Sequence, residues 1–184
     1  MDRMLERVKM LIVDDNLHMI HVTKTILRGF GIKDFQEAAN AHDAFELVKK
    51  TAFDLIITDY AMSPVDGCEF TKRLRTATDS PNHFVPIIML TAYADKATVE
   101  AARDAGVTEF CAKPITATDL YRKVCSVINS PRSFVRTSVY FGPDRRRRAV
   151  DDFKGAERRE AQSGPKGSTI PNNAADTKPA DPVT

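Results

Sequence analysis

The sequence predicts an α/β protein: a doubly wound, five-stranded parallel sheet followed by a C-terminal tail. Three observations predict it. Short apolar runs alternate five times with stretches of helical period, those runs stop abruptly at polar residues, and the composition changes after residue 130. Strands buried on both faces of a parallel sheet read as continuous apolar runs, and each needs a crossover, usually helical, to reach the next.

Met10-Leu11-Ile12-Val13 is the first run, and it stops at Asp14-Asp15. From Asn16 the period turns helical: Met19, Val22, Thr23, Ile26, Leu27 and Phe30 fall on one stripe, with Gly29 or Gly31 to stop it. Residues 35–38 predict a short strand, and 41–50 a helix with Ala44, Leu47 and Val48 turned inward. Residues 55–58 run as a third strand into Asp59, and a helix over 67–75 follows through Phe70 and Leu74. A fourth strand over 86–90 runs into Thr91, and a helix over 95–105 is closed by Gly106. Residues 108–112 then run into Lys113-Pro114. The last helix opens at Thr116, with Asp119 where a capping box has Glu, and buries Leu120, Val124, Val127 and Ile128. Right-handed crossovers return over the sheet and place helices on both faces.

The chain has 184 residues, 27 basic against 25 acidic, and is 42% apolar. That composition excludes collagen and a wholly disordered chain, and no apolar run approaches a membrane span. Residues 1–129 hold 16 basic and 18 acidic side chains, whereas 130–184 hold 11 and 7, with six of the ten prolines and four of the eight glycines. After Phe153 the only large aliphatic residues are Ile170 and Val183, too little apolar surface to offset the entropy of ordering. One domain over 1–130 and a basic, Pro/Gly-rich, mostly disordered tail over 131–184 are expected. Within the tail, 134–141 is the segment apolar enough to dock, on the domain or on a partner. Gly142-Pro-Asp144-Arg145-Arg146 recurs weakly as Gly155-Ala-Glu157-Arg158-Arg159. The arginine run at 145–148 suits nucleic acid, an acidic protein or lipid headgroups, and equally a solvated stretch. Cys68, Cys111 and Cys125 are odd in number and show no C-x-x-C spacing, which fits a reducing cytoplasm rather than a disulfide or zinc framework. Met1 to Val8 lacks the apolar core of a secretion signal. The four histidines are scattered and read as surface positions.

Asp14-Asp15, Asp59, Thr91 and Lys113 fall at the carboxyl ends of strands one, three, four and five, where open parallel sheets gather their ligands. Each alone has a plainer reading: a helix cap or turn for the aspartates and Thr91, a solvated strand end for Lys113. Together they are expected to converge on one pocket. With these residues, the loop Asp59-Tyr-Ala-Met-Ser-Pro-Val-Asp-Gly67, and the pairs Thr91-Ala92 and Lys113-Pro114, the chain resembles the CheY-like receiver domains of two-component response regulators. The resemblance covers about 125 of the 184 residues and implies a flavodoxin-like sheet of strand order 2-1-3-4-5.

Three convergent carboxylates raise one another's pKa unless cations hold them ionised, and hard oxygen ligands suit Mg²⁺. The resemblance implies that Asp15 and Asp59 bind Mg²⁺ directly, Asp14 through water, and Ala61 through its backbone carbonyl. It implies that Asp59 accepts a phosphoryl group from a histidine kinase or histidine phosphotransfer protein, with Lys113 offsetting charge. Thr91 and Phe110 would be the switch pair, although Phe110 also reads as plain core. A downstream target protein would read the state at the face of the fourth helix, fifth strand and fifth helix. No separate enzymatic output is expected. Two departures from the family pattern stand out: Ser63 occupies the usual proline position, one residue before Pro64, and the positions that tune hydrolysis are Ala61 and Tyr93, which predicts slow self-dephosphorylation. A phosphatase or mutase on a similar sheet normally carries Asp-x-Asp, and here the second position is Ala61. A second class is a nucleic-acid or scaffold protein acting through the basic tail and gated by the receiver.

Overall fold

The most apolar runs become the interior strands. The computed structural model describes residues 5–93 and 95–145. After a 3-10 turn at Leu5–Arg7, five strands form one sheet: β1 (Lys9–Val13), β2 (Asp34–Ala38), β3 (Leu55–Asp59), β4 (Ile87–Thr91) and β5 (Glu109–Ala112). Their order is β2-β1-β3-β4-β5 and every pairing is parallel, as expected. All five residues of β3 and of β4 are buried, whereas the edge strand β2 leaves most of its residues partly or fully exposed. That contrast explains why β2 carries Asp34 and Glu37 while β3 and β4 carry isoleucine and leucine.

Five helices cover the sheet: α1 (Leu17–Gly29), α2 (Ala41–Lys50), α3 (Gly67–Thr76), α4 (Lys96–Ala105) and α5 (Ala117–Asn129). Each begins at a polar cap, Asn16, Asn40, Asp66, Asp95 and Thr116, whose side chain accepts a first-turn N–H. Gly106 closes α4 with φ 97°, the left-handed conformation that favours glycine. Alternate residues of β1 serve two cores. Met10 and Ile12 pack with Ile20 and Leu27 of α1 and Leu120 and Val124 of α5. Leu11 and Val13 pack with Phe45 of α2 and Phe70 and Leu74 of α3. A smaller cluster of Cys68, Met89, Ala102 and Ala105 joins α3 to α4. The buried line of α1 is Ile20, Thr23 and Leu27, rotated from the expected stripe, with Met19, Val22, Ile26 and Phe30 only half-buried.

The expected boundary at residue 130 needs correction. Residues 131–145 fold back onto the domain as a hairpin of β6 (Phe134–Arg136) and β7 (Phe141–Pro143). Phe134 and Phe141 each meet the Phe84 ring edge-on at 5.3 Å, and Phe141 meets the His83 ring at 6.2 Å. Under them lies Arg75, 2% exposed, donating from Nε and Nη2 to the Gly106 carbonyl at 3.2 and 3.1 Å and from Nη1 to the His83 carbonyl at 2.9 Å. Its guanidinium also sits 5.1 Å from the centre of the Phe134 ring. Gly142 abuts Gly106 so closely that a Cβ on Gly142 would stand 2.9 Å from the Gly106 Cα. Ion pairs pin both ends: Arg132 to Glu109 at 2.6 Å and Arg145 to Asp104 at 3.0 Å. The hairpin orders because its aromatic rings, few in number, pack on Phe84 and His83 before β4 and over Arg75 at the end of α3.

Arg145, the one arginine of the 145–148 run among the described residues, is therefore engaged, and it also stacks over Tyr140 at 3.9 Å. The other three arginines, the second copy of the repeat and the second unit, Arg148–Thr184, lie outside the described residues, as does the expected disorder there. His18, His21 and His42 are exposed, but His83 is half-buried, its Nδ1 3.1 Å from the carbonyls of both Leu74 and Arg75. Its ring thus caps the last carbonyls of α3. Arg75→Met keeps the bulk but removes every donor from the Gly106 and His83 carbonyls. We expect it to cost roughly 2–4 kcal/mol in urea denaturation and to open the hairpin to limited proteolysis.

Candidate functional site

The carboxyl ends of β1, β3 and β5 bring four charged side chains together. Asp14 and Asp15 follow β1, Asp59 ends β3 and Lys113 follows β5. Carboxylate oxygens of Asp14, Asp15 and Asp59 lie within 4.8 Å of one another. The Lys113 ammonium stands 2.8 Å from Asp59 Oδ1 and 3.3 Å from Asp14 Oδ2. Asp14 is 1% exposed and Asp59 6%, whereas Asp15 opens to solvent. One ammonium faces three carboxylates, so negative charge is in excess. Hard oxygen donors at this separation, with uncompensated charge, fit a divalent cation.

Local structure fixes the geometry. The Asn16 N–H donates to Asp14 Oδ1 at 2.8 Å while the Asn16 side chain caps α1, so one residue ties the acid pair to its helix. The Gly67 N–H donates to the Tyr60 carbonyl at 3.0 Å, seating α3 directly against the end of β3. Burial pushes the Asp14 carboxyl up, against the Asn16 and Lys113 interactions that favour its charge, and neighbouring Asp59 adds to the rise. Burial opposes the Lys113 charge, but the Asp59 and Asp14 carboxylates outweigh it and hold that ammonium above its ordinary value.

The Asp14 shift has a consequence for stability. A carboxyl raised on folding binds its proton more tightly in the native state, so its ionisation withdraws stability above the native pKa. Asp14→Asn keeps the acceptor for Asn16 and removes one charge from the excess. We expect the metal-free variant to melt above wild type at neutral pH, with the gap closing as pH falls, and to gain less stability than wild type from added Mg²⁺. Thermal melts with and without Mg²⁺ read both effects.

The remaining candidates lie around this cluster. Thr91 ends β4, 2% exposed, with its hydroxyl accepting from the Tyr93 N–H at 2.9 Å and donating to the Tyr93 carbonyl at 3.1 Å. Tyr93 is largely exposed and meets the Tyr60 ring edge-on at 6.4 Å. Ala61 is exposed, two residues beyond Asp59. Phe110 of β5 is half-buried against the cluster between α3 and α4, beside Met89 and Ala102. Sequence reasoning missed Tyr60, which packs on the same cluster, and Asn16 as a support for Asp14. Asn16 carries a legible signal, a cap residue immediately after two strand-end acids, whereas Tyr60 has none.

Residues 10–125 match the family described as response regulator receiver domain. The chain is similar to chemotaxis protein CheY-3 of Vibrio cholerae serotype O1, 34% identical over 119 residues, 65% of this chain and 90% of that one. Among solved structures it is similar to chemotaxis protein CheY4 of Vibrio cholerae, with 28% identity and TM-score 0.60, covering 65% of this chain and 98% of that one. It is also similar to the receiver domain of the sensor histidine kinase PA1611 from Pseudomonas aeruginosa PAO1, with 28% identity and TM-score 0.60, covering 67% and 98%. That structure carries a magnesium ion coordinated in its active-site cleft. No helix among the described residues is long and apolar enough to cross a membrane.

Proposed function

Because the chain belongs to the response regulator receiver family, we propose that it accepts a phosphoryl group on Asp59 from a histidine kinase or histidine phosphotransfer protein and signals by phosphorylation-dependent protein contact. The observation that carries this reading is the close grouping of Asp14, Asp15, Asp59 and Lys113, with Lys113 on Asp59 at 2.8 Å. An Asp59 carboxylate oxygen forms the new bond to phosphorus while the bond from phosphorus to the donor imidazole nitrogen breaks, and that nitrogen keeps the electron pair. Lys113 and the end of β3 hold the nucleophile in place and set positive charge beside the transferring oxygens. Asp15 and Asp59 would hold Mg²⁺ directly, Asp14 through water and Ala61 through its carbonyl; when bound, the ion supplies charge neutralisation for the transferring phosphoryl oxygens.

A phosphoryl group adds about −1.5 to −2 charges to a pocket whose acids already outnumber its base. In this reading the Thr91 hydroxyl exchanges its Tyr93 bonds for the phosphoryl oxygens, Phe110 repacks, and the face of α4, β5 and α5 changes for a downstream target protein. The protein would act in the cytoplasm as a signalling module with no second catalytic output. Mass spectrometry after incubation with Mg²⁺ and a small acyl phosphate tests the proposal: one phosphoryl group is expected, on Asp59.

The lifetime of that group follows from two side chains. Ala61 has no polar side-chain atom with which to orient an attacking water, and Tyr93, two residues beyond Thr91, presents a bulky, largely exposed ring held edge-on to that of Tyr60. Self-dephosphorylation of the isolated, Mg²⁺-loaded protein is expected to be slow, and Ala61→Asn to hasten it; a wild-type half-life of only seconds contradicts this.

A further inference from the structure

At the end of the sheet opposite the acidic cluster, the hairpin and the end of α3 flank an open cavity of about 450 Å³. That volume lies in the range of small-molecule sites. Its walls include Arg75, Thr78, His83, Arg136, Ser138 and Tyr140, and among the described residues they include no carboxylate. Arg75 donates to backbone carbonyls and makes no ion pair among the described residues, and burial pushes this guanidinium down to about 10. The Arg136 side chain has no ion pair or hydrogen bond among the described residues; its guanidinium rests over the Phe141 ring at 4.4 Å. The acids close by are already taken, Asp104 by Arg145 and Glu109 by Lys123 and Arg132. The hydroxyls of Thr78 and Ser138 have no partner among the described residues and add two donors at the same wall.

We infer that this cavity is a phosphate site, which takes a phosphoryl dianion, free or carried on a small ester, against Arg136 and the Arg75 wall. Two guanidinium charges, one held by backbone carbonyls at Arg75 and one exposed at Arg136, with no carboxylate in the lining, match a dianion, and a guanidinium presents paired donors to phosphate oxygens. Occupancy would tie the hairpin to α3 and, through the shared Gly106 carbonyl, to the end of α4.

The test uses the full chain carrying Asp59→Asn, without divalent cations, so that neither phosphorylation nor the acidic cluster contributes and the reading of Asp59 stands or falls separately. Inorganic phosphate, AMP and adenosine are titrated by calorimetry. Phosphate and AMP are expected to bind and adenosine not to. Tighter binding of AMP assigns the site to an ester, and equal binding assigns it to the free ion. Arg136→Ala is expected to weaken binding at least tenfold, and Arg136→Lys less. Absence of binding by both phosphates, binding of adenosine as tight as AMP, or full affinity in Arg136→Ala overturns the inference.

Discussion

Asp59→Asn is expected to fold like wild type and to take up no phosphoryl group from a small acyl phosphate in the presence of Mg²⁺. The substitution keeps the shape of the side chain and an oxygen that can accept from the Lys113 ammonium, now 2.8 Å away. It removes the anionic nucleophile, since an amide oxygen attacks phosphorus far more weakly than a carboxylate. Loss of a group that forms the covalent bond costs on the order of 10³-fold or more in rate. Neither Asp14 nor Asp15 is placed to substitute. Asp14 is 1% exposed and bound by Asn16 and Lys113, and Asp15, though open to solvent, makes no ion pair with Lys113, which contacts Asp14 and Asp59 instead. Beryllofluoride gives a second readout, because it mimics the phosphoryl group only where a carboxylate can hold it: chemical shifts of α4 and β5 residues should move in wild type and stay in place in the variant. Label recovered on another residue, or wild-type uptake by Asp59→Asn, would falsify the assignment of the nucleophile.

The legibility of this fold differs between its two parts for a physical reason. The sheet and its helices rest on local signals: an uninterrupted apolar run for β3 and β4, and a cap residue at each helix start. The convergence of Asp14, Asp15, Asp59 and Lys113 was equally readable, because parallel topology obliges all carboxyl ends of the strands to lie at one edge. The hairpin over 134–143 rests on nonlocal signals. Its groove is assembled from Arg75 at the end of α3, Phe84 before β4 and Gly106 after α4, residues whose sequence neighbours give no hint of a common surface. Arginine at the end of an amphipathic helix reads as a solvated C-terminal charge, and nothing in the sequence marks Arg75 as 2% exposed. The segment 134–141 was readable as apolar enough to dock, but whether it docks on the domain or on a partner depends on a complement that only three dimensions supply.

Gly67→Ala is expected to damage stability and chemistry together, because the residue has no room for any side chain. A Cβ at this position would stand 2.2 Å from the carbonyl oxygen of Asp59 and 3.1 Å from Cε of Met89. The methionine can turn aside, but the carbonyl belongs to the backbone at the end of β3 and cannot. That carbonyl also accepts from the hydroxyl of Thr58 at 3.1 Å, and Gly67 itself donates to Tyr60 one residue on, so the loop is tied on both sides of the collision. Either α3 lifts away, opening the contact of Phe70 and Leu74 with the sheet, or the Asp59 backbone is displaced. The first route exposes buried apolar surface and the second strains the loop; either is expected to cost about 3–5 kcal/mol in urea denaturation. The chemical effect follows from the same collision, since the contact between Lys113 and Asp59 depends on where β3 ends. A displacement of about 1 Å of a reacting group costs roughly 10²-fold in rate. Phosphoryl uptake by the folded fraction of Gly67→Ala, measured at low temperature, should therefore fall by about that factor. Arg75→Met tests the distinction: it should lose comparable stability, at the opposite end of the sheet, while its folded fraction takes up phosphoryl at close to the wild-type rate. Equal loss of uptake in both variants would mean that the rate follows global stability rather than the placement of Asp59 by Gly67.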